Sequence, residues 1–418
     1  MPEEVSKEVV LKDLKDSIVS GDVPRIIENS VRLALEKKSS DIHIEPQQNI
    51  VKIRFRVDGV LHVFVEYPLN IHPAVVSKLK LMANLKIDES RIPQDGRINL
   101  FVNDKEVDLR LSSFPTPNGE KMVMRVLDKS HKIPSLNELG LVGTNYKKFE
   151  KALKEPNGII LTSGPTGSGK TTTMYSALSF INTDNINILT LEDPIENQMD
   201  GLNQSQMHPS IGYNFAYGIR TPLRQDPDVI MVGEIRDKET IDIAVEASLT
   251  GHLVLSTIHT NSAVDTIVRI LNMKVPDFLL VASVNLIIAQ RLVRRLCQHC
   301  KKRQDVSPAT IDRVKKAFTF FKPYPELDMA IFKKLEFYEG SPEGCEQCDH
   351  VGYSGRVGIY EILEMTNPLR EGILKGESSI HLEEIAKKEG MVSLEQDGLI
   401  KALEGITSLE EVYKIVKT

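Results

Sequence analysis

The spacing of apolar residues predicts a helix near the start of the chain. Asp22 is a residue type that caps helix N-termini, and Pro24 fits the first turn of a helix. Apolar residues then recur at the spacing of one helical face: Ile27, Val31, Ala34 and Leu35. We therefore expect a helical N-terminal segment within residues 1–37.

After residue 40 apolar and polar positions alternate, which is the period of a β-strand. Between Val51 and Val57 the apolar side chains share one face, and the other face is basic: Lys52, Arg54 and Arg56. Asp58-Gly59 predicts a hairpin turn, and Asp95-Gly96 predicts a second turn before a strand over residues 107–111. Residues 38–130 are thus predicted to form a small α+β domain with arginines on an open sheet face, although such a charge stripe is usually only a solvated surface.

A different pattern begins near residue 157. Four short apolar runs are separated by helix-length segments: residues 159–162, 187–191, 229–232 and 253–256. Strands that are apolar throughout are typical of a parallel sheet covered by helices on both faces. The sequence therefore predicts an α/β core domain over residues 146–295, preceded by a linker or hinge over residues 131–145. Residues 357–418 are predicted to be a helical C-terminal region.

Composition and charge narrow the class of protein. The 418 residues are 41% hydrophobic and 26% charged, with a net charge of -6, as in a soluble globular protein of two or three domains. An acidic total argues weakly against a nucleic-acid binder, which needs a concentrated basic face. The first residues are acidic and polar, unlike a secretory signal, and the most apolar run, residues 278–289, is shorter than the roughly 18 residues of a membrane span. These features predict a cytosolic protein that reaches any membrane through a partner.

The clearest chemical motif is a glycine-rich sequence after the first apolar run. It matches the phosphate-binding pattern G-x-x-x-x-G-K-[ST] between a predicted strand and a predicted helix. Glycines let backbone N–H groups close around phosphate oxygens, and the helix start adds unpaired donors. Lys170 would reach the β- and γ-phosphates, and the Thr171 hydroxyl would hold Mg²⁺. The sequence predicts ATP binding by Gly164, Pro165, Thr166, Gly167, Ser168, Gly169, Lys170, Thr171 and Thr172.

Two carboxylates follow apolar runs of the predicted sheet, where the ligand crevices of such sheets form. Glu192 ends one run, and Glu234 follows the run at residues 229–232. A carboxylate at the end of the strand beside the phosphate-binding loop can orient water and support Mg²⁺. Either residue can instead be a helix cap, and which one activates water stays open. His252 and His259 flank another run and are candidate γ-phosphate sensors, although a lone histidine is as often a packing residue.

All four cysteines fall in two Cys-x-x-Cys pairs: Cys297, Cys300, Cys345 and Cys348. In a reducing compartment this arrangement favours a metal site. Four thiolates can close a tetrahedral site around Zn²⁺, in which the metal is structural. Empty thiols or two local disulfides are the alternatives.

These residues together resemble the secretion and pilus ATPase family, the motors of type II secretion and type IV pili. Four motifs beyond the phosphate-binding loop carry the resemblance, from about Asp41 to near Arg356. They are similar to the family's aspartate box (residues 190–196), extended Walker B signature (223–237), histidine box (250–260) and N-terminal domain (41–46 with 54–59).

The resemblance implies a RecA-like P-loop ATPase core with a smaller N-terminal α+β domain, and ATP, Mg²⁺ and Zn²⁺ as cofactors. It also implies that arginines of the N-terminal domain neutralise charge at the γ-phosphate, and the matching positions are Arg97 and Arg110. With these, the expected catalytic residues are Glu234, Glu192, Lys170, Arg97, Arg110 and His259.

The resemblance further implies a cytoplasmic motor, peripheral at the inner face of the cytoplasmic membrane. It would be a homo-oligomer, expected to be a hexameric ring, working on an inner-membrane platform protein, with no membrane span and no nucleic-acid partner. Assembly and secretion members are similar to this chain in having a four-cysteine zinc loop, here over residues 296–356, whereas retraction ATPases lack one. The expected function is therefore ATP hydrolysis that drives type IV pilus assembly or type II pseudopilus extrusion. The alternatives are a nucleic-acid-translocating RecA-like motor and a pilus retraction ATPase.

Overall fold

The computed structural model of the protein describes residues 7–102, 105–128, 132–319, 321–325 and 327–416. The chain divides into two compact units, with the boundary between Lys132 and Ile133. Residue 131 of the predicted linker, and residues 129–130 at the end of the predicted N-terminal domain, lie outside the described residues.

The first unit is a six-stranded antiparallel sheet with helices on one face. Its elements are α1 (Lys7–Ser20), α2 (Val23–Glu36), β1 (Asp41–Pro46), β2 (Ile50–Val57), β3 (Val60–Pro68), α3 (His72–Met82), β4 (Gln94–Val102), β5 (Lys105–Thr116) and β6 (Gly119–Asp128). The strand order is β3-β2-β1-β6-β5-β4, and each neighbouring pair is antiparallel.

Alternation along the strands of this unit separates a core face from a charged face. Phe55 of β2, Leu109 of β5 and Met124 of β6 are fully buried in one cluster with residues of all three helices.

The helix predicted to begin at Asp22 is confirmed as α2. The Asp22 side chain accepts a hydrogen bond from the Arg25 N–H at 3.2 Å, and a proline lies in the first turn of the helix. The hairpin at residues 58–59 is also confirmed, since Val57 pairs with Val60.

The turn predicted at Asp95-Gly96 is wrong. Both residues lie inside β4, where Gly96 is opposite Leu111 of β5. A Cβ at Gly96 would lie 2.7 Å from the Ala83 carbonyl oxygen. This glycine is therefore explained by the close approach of the backbone after α3, not by a reversal of the chain.

The second unit is a seven-stranded sheet with helices on both faces. Its first elements are α4 (Gly143–Leu153), β7 (Gly158–Ser163), α5 (Lys170–Ile181), β8 (Ile188–Glu192), β9 (Leu202–Gln206), α6 (Phe215–Gly218), β10 (Val229–Val232), α7 (Lys238–Leu249), β11 (Leu253–Ile258), α8 (Ala263–Asn272) and α9 (Asp277–Ser283). The remaining elements are β12 (Val284–Leu296), β13 (Lys302–Gln304), α10 (Pro308–Ala317), α11 (Ala330–Lys334), β14 (Phe337–Glu339), β15 (Tyr353–Glu364), α12 (Asn367–Leu374), α13 (Ser379–Lys388), α14 (Leu394–Leu403) and α15 (Leu409–Val416).

The order of this sheet is β15-β12-β7-β11-β10-β8-β9, and only the β12–β15 pair is antiparallel. The predicted apolar runs form β7, β8, β10 and β11, which confirms the parallel sheet. Successive residues of β7 enter different cores, because Ile159 belongs to one hydrophobic cluster and Ile160 to another. The sheet is therefore buried on both faces, as its continuous apolar runs predict.

The segment between β12 and β15 contains a small subdomain. The strands β13 and β14 pair antiparallel, and α10 packs beside Phe337 of β14 and Leu403 of α14. The four cysteines flank this subdomain. Among the described residues, no helix is both long and apolar enough to cross a lipid bilayer.

Candidate nucleotide site and cysteine centre

The glycine-rich loop connects the end of β7 to the start of α5. Three of its residues have positive φ angles: Gly164 at 147°, Gly167 at 80° and Gly169 at 87°. At Gly164 a Cβ would also lie 2.5 Å from Ser168 Oγ and 2.7 Å from the Gln290 carbonyl oxygen. Glycine is required here for both conformation and space, so the loop forms a close backbone turn ahead of a helix N-terminus.

The cradle has the donors that a polyphosphate needs. Lys170 is the first residue of α5, and its ammonium group donates to the Gly164 carbonyl at 2.8 Å and the Pro165 carbonyl at 3.1 Å. Burial lowers the Lys170 pKa, the Glu234 charge raises it and the Arg291 charge lowers it further. The Ser168 Oγ is buried without a hydrogen-bond partner among the described residues, whereas Thr171 is exposed. A bound phosphate and Mg²⁺ would give these groups partners, so the residues present fit Mg-ATP.

The remaining predicted loop residues surround the same turn. The exposed tip of the loop and the first turn of α5 leave these positions accessible: Pro165, Thr166, Gly167 and Thr172. Nothing lies within 4 Å of a Cβ built at Gly167. The tip is therefore open to a ligand, while its base is packed.

Glu234 and His259 meet at the same edge of the sheet. The Glu234 carboxylate lies 3.5 Å from His259 Nε2 and 2.5 Å from the Arg236 guanidinium. Burial and the Lys170 charge lower the His259 pKa, while the Glu234 charge raises it. Lys170 follows β7, Glu234 follows β10 and His259 follows β11, so the three predicted catalytic residues lie at the carboxyl edge of the same parallel sheet.

The strand that precedes Glu234 does not lie beside the strand of the phosphate-binding loop, contrary to what the sequence interpretation assumed. Glu234 follows β10, which is not beside β7, because β11 lies between them. Thr257 of β11 donates to the Gly233 carbonyl at 2.7 Å, and the Ile235 N–H donates to the Thr257 carbonyl at 2.8 Å. These bonds fix the backbone on both sides of Glu234, so β11 positions the carboxylate.

His252 lies at the opposite end of β11. Its Nδ1 is 2.9 Å from the Ala247 carbonyl oxygen and 3.3 Å from Thr250 Oγ1. It precedes the strand that His259 follows, so the structure separates it from the site. The interaction with the end of α7 indicates a structural role for His252.

Glu192 is engaged differently from Glu234. It is buried, and its carboxylate accepts hydrogen bonds from Thr190 Oγ1 at 2.6 Å, Gln204 Nε2 at 3.0 Å and the Tyr175 hydroxyl. The Tyr175 hydroxyl in turn accepts the backbone N–H of Glu196 at 3.1 Å. The aspartate box is thus tied to α5 through Tyr175, with Glu192 as the acceptor at its centre.

Two further residues at the loop were missed from the sequence, Gln290 and Arg291 of β12. Gln290 Nε2 donates to the Ser168 carbonyl at 2.7 Å, and the Arg291 guanidinium donates to the carbonyl of Asn261 at 3.0 Å. Both side chains are buried. A glutamine and an arginine within the apolar strand 284–296 were the available signal, because buried polar side chains in a strand need partners.

The charged face of the first unit presents a row of arginines. Register places Arg97 opposite Arg110, Arg110 opposite Arg125, Arg125 opposite Asp41 and Asp41 opposite Arg56. A cavity of about 450 Å³ is lined by Arg97, Arg110 and Arg125 together with Asp41. The predicted pair Arg97 and Arg110 is therefore adjacent in space, and Arg125 extends it. Sequence reasoning missed Arg125 because only the register of β5 and β6 reveals its position.

The four cysteines form one cluster. Their sulfur atoms all lie within 4.8 Å of one another, with Sγ–Sγ distances of 3.7 Å for Cys297–Cys345, 3.7 Å for Cys300–Cys348 and 3.8 Å for Cys345–Cys348. A tetrahedral zinc with Zn–S bonds of roughly 2.3 Å separates its sulfurs by about 3.8 Å. Two local disulfides would need about 2.05 Å, so the geometry fits a zinc site and not the disulfide alternative.

Hydrogen bonding at Cys348 also favours a thiolate. Its sulfur accepts the backbone N–H groups of Cys345 and Gly352, each at 3.2 Å. Burial raises the pKa of this thiol, but the backbone donors outweigh burial and lower it to about 6. A deprotonated sulfur is the form that binds metal.

Comparison with known proteins places this arrangement in a family. A family model described as "Type II/IV secretion system protein" matches residues 17–414. The chain is 46% identical over 396 residues to the type IV pilus assembly ATPase PilB of Pseudomonas aeruginosa, covering 94% of this chain and 68% of that protein. It is 47% identical to PilB of Myxococcus xanthus, covering 91% of this chain and 65% of that protein. The chain thus spans about two thirds of the length of these relatives.

Similarity extends to the secretion branch and to a solved structure. The chain is 43% identical over 406 residues to the type II secretion system ATPase E of Vibrio cholerae, covering 97% of this chain and 78% of that protein. It superposes on the pilus retraction motor PilT with bound ADP at a TM-score of 0.59 and 25% identity, covering 93% of this chain and 96% of PilT. These matches confirm the predicted RecA-like ATPase core and the predicted family resemblance. The chain belongs to the type II/IV secretion system ATPase family.

Proposed function

We propose that this chain is an ATP-hydrolysing motor subunit that drives type IV pilus assembly or type II pseudopilus extrusion. The observation that carries the proposal is the glycine-rich loop at the N-terminus of α5, with the Lys170 ammonium inside it, 2.8 Å from the Gly164 carbonyl. The relatives named as pilus assembly and type II secretion ATPases supply the two pathways.

Each residue of the site has a distinct task in this proposal. The loop N–H groups and Lys170 would bind the phosphates, and the Thr171 hydroxyl together with Glu234 would hold Mg²⁺, which would neutralise phosphate charge. Glu234 accepts the proton of the attacking water. His259, 3.5 Å from Glu234, would orient that carboxylate and respond to the γ-phosphate.

The arginine row is a source of positive charge in addition to Lys170 and Arg236 of the core. We propose that Arg97, Arg110 and Arg125 neutralise the γ-phosphate of a nucleotide held by the same or a neighbouring subunit. A site completed across an interface requires a neighbouring subunit, which cyclic symmetry supplies, and we propose a hexameric ring. The negative charge of bound ATP would attract the arginine face, and hydrolysis would release it. This cycle would produce a rigid-body motion that is passed to an inner-membrane platform protein. The proposed location is accordingly the cytoplasmic side of that membrane.

Replacing Arg125 by glutamine is expected to lower kcat by at least about tenfold, because an arginine acting on transferring phosphate contributes far more than a surface ion pair. The measurement is steady-state ATP hydrolysis by the assembled protein. Arg91→Gln is the matched control, since Arg91 is exposed and, among the described residues, its side chain pairs only with the neighbouring Glu89. An unchanged kcat for Arg125→Gln would mean that Arg125 serves only its 3.2 Å ion pair with Asp41.

The cysteine centre is proposed to hold one structural Zn²⁺ per chain. Metal analysis of the purified protein is expected to give one zinc, and Cys345→Ser is expected to lower Tm by roughly 5–15 °C, since several kcal/mol of metal-linked stability would be lost. His299→Ala should keep zinc and Tm, because His299 lies between two of the cysteines but outside the cluster. Zinc-free, fully stable wild-type protein would contradict the proposal.

The alternatives have weaker support. Retraction motors resemble this chain in fold, as the PilT superposition shows, but the cysteine cluster favours the assembly and secretion branch. A nucleic-acid motor has no counterpart among the relatives described above. Genetic complementation decides between pathways: restoring pili to a strain lacking its PilB supports assembly, whereas restoring secretion to a strain lacking its ATPase E supports secretion. Failure in both, with ATP hydrolysis intact, would contradict either pathway.

A further inference from the structure

A buried polar pair on β12 connects the phosphate-binding loop to the loop that carries His259. Gln290 and Arg291 are adjacent on this strand, and they are 1% and 8% exposed. β12 runs parallel to β7 with Ala289 opposite Ser163, so these two residues lie just beyond the end of β7. That position is beside the turn at Gly164.

Gln290 is joined to the phosphate-binding loop from one side. Its Nε2 donates to the Ser168 carbonyl at 2.7 Å. Its backbone carbonyl oxygen is also close to Gly164, because a Cβ built on Gly164 would lie 2.7 Å from that oxygen. The Gln290 Oε1 is buried without a hydrogen-bond partner among the described residues. A conformational change of the phosphate-binding loop on phosphate binding would therefore displace the backbone of Gln290.

Arg291 reaches in the other direction. One terminal nitrogen donates to the Gln290 carbonyl at 3.0 Å, and the other donates to the Asn261 carbonyl at 3.0 Å and to Asn261 Oδ1 at 3.2 Å. Asn261 is two residues after His259, in the loop between β11 and α8. The guanidinium thus bridges the backbone beside the phosphate-binding loop and the backbone beside His259.

A buried carboxylate supports this bridge. Glu361 of β15 is 7% exposed, pairs with Ala289 in register, and accepts the N–H of Ala263 at 2.8 Å. Its charge acts on Arg291, where burial lowers the pKa and Glu361 raises it. Burying a guanidinium carries a large desolvation cost, so an arginine buried beside a ligand site is expected to have a function that an apolar side chain could not perform.

We propose that Arg291 is a positioning residue that transmits the state of the phosphate-binding loop to His259 through Asn261. ATP binding would order the turn at Gly164, the turn would hold the Gln290 carbonyl, and Arg291 would then fix the loop after β11. In that fixed loop His259 faces Glu234, as it does at 3.5 Å in this structure. The inference deepens the proposed function and rests on it.

Steady-state kinetics and a double-mutant cycle test the coupling. Arg291→Gln is expected to lower kcat about tenfold with KM changed by less than about twofold. In the His259→Ala background the same substitution should lower kcat by less than about twofold, because residues that act through one another are not additive. Arg295→Gln is the matched control on the same strand, since within the described part of the chain the Arg295 side chain donates only to the exposed Arg356 carbonyl. Losses that multiply in the double variant would overturn the inference.

Hydrogen exchange tests the same coupling without catalysis. Mg²⁺ with adenylyl imidodiphosphate should slow amide exchange in residues 259–263 of the wild-type chain. In Arg291→Gln that protection should be lost, while residues 164–172 remain protected. Asn261→Ala, at an exposed position, replaces Arg291→Gln if the latter does not fold, and should show the same kcat loss and the same lack of additivity with His259→Ala. Protection of residues 259–263 that survives in both variants would overturn the inference, whereas failure of the wild-type chain to hydrolyse ATP would overturn the proposed function instead.

Discussion

Replacing Lys170 by alanine is expected to abolish ATP hydrolysis, with a loss of roughly 10³-fold or more, while the fold is retained. The side chain lies at the N-terminus of α5 with its ammonium group inside the glycine-rich loop. No other described lysine or arginine donates to the carbonyls of both Gly164 and Pro165. The charge that contacts the phosphates would therefore be lost without a substitute.

The fold of Lys170→Ala is expected to remain stable because burial of the Lys170 ammonium costs desolvation free energy in the wild-type protein. Burial lowers its pKa, so the charged form of Lys170 is less stable in the folded protein than in water. Removing it relieves that cost while losing two hydrogen bonds to loop carbonyls, and the two effects oppose each other. Thermal denaturation should show a Tm close to wild type, and ATP hydrolysis should be measured on the same sample.

Lys154→Ala is a suitable control for this variant, because Lys154 is exposed and paired with Glu150 on the surface of α4. It should hydrolyse ATP at the wild-type rate. Wild-type turnover by Lys170→Ala would contradict the assignment of the nucleotide site itself, and with it the motor function.

The contiguous parts of this molecule were predictable from sequence, for a physical reason. A phosphate-binding loop is built from neighbouring residues, so its spacing and its place between β7 and α5 are visible in the chain. The same holds for α2, whose cap at Asp22 lies next to the helix it begins. The cysteine pairs were visible as well, although only the folded chain brings Cys297 and Cys345 within 3.7 Å.

The parts that sequence reasoning missed depend on pairing between distant segments. Arg125 joins Arg110 through the register of β5 and β6, which no local pattern records. Similarly, β11 enters the sheet between β7 and β10, so the strand that precedes Glu234 is one strand farther from β7 than the sequence interpretation assumed. Gly96 was mistaken for a turn because the need for space beside Ala83 arises only after α3 has packed.

Changing Glu234 and Glu192 to glutamine, one at a time, is expected to have different effects on catalysis and on stability. Glu234→Gln should lower kcat by roughly 10²–10³-fold and leave ATP binding nearly unchanged, because an amide cannot accept the proton of the attacking water. Its folded state should be little affected, since Glu234 contacts the exposed Arg236 and His259 side chains and is not enclosed in the core. Single-turnover hydrolysis and nucleotide binding on the same preparation measure both quantities.

Glu192→Gln should show the reverse pattern. Thr190 and Gln204 donate to one carboxylate oxygen and Tyr175 donates to the other, so an amide nitrogen would face at least one donor. Tyr175 cannot readily turn its lone pairs to that amide, because its oxygen already accepts the Glu196 N–H. The expected cost is about 1–3 kcal/mol of stability, seen as a lower Tm, with a kcat within severalfold of wild type. If Glu192→Gln instead lost hydrolysis as completely as Glu234→Gln while keeping its Tm, Glu192 would be the base that activates water. The three hydrogen bonds that enclose it would then have to open during turnover, which would move the aspartate box together with α5.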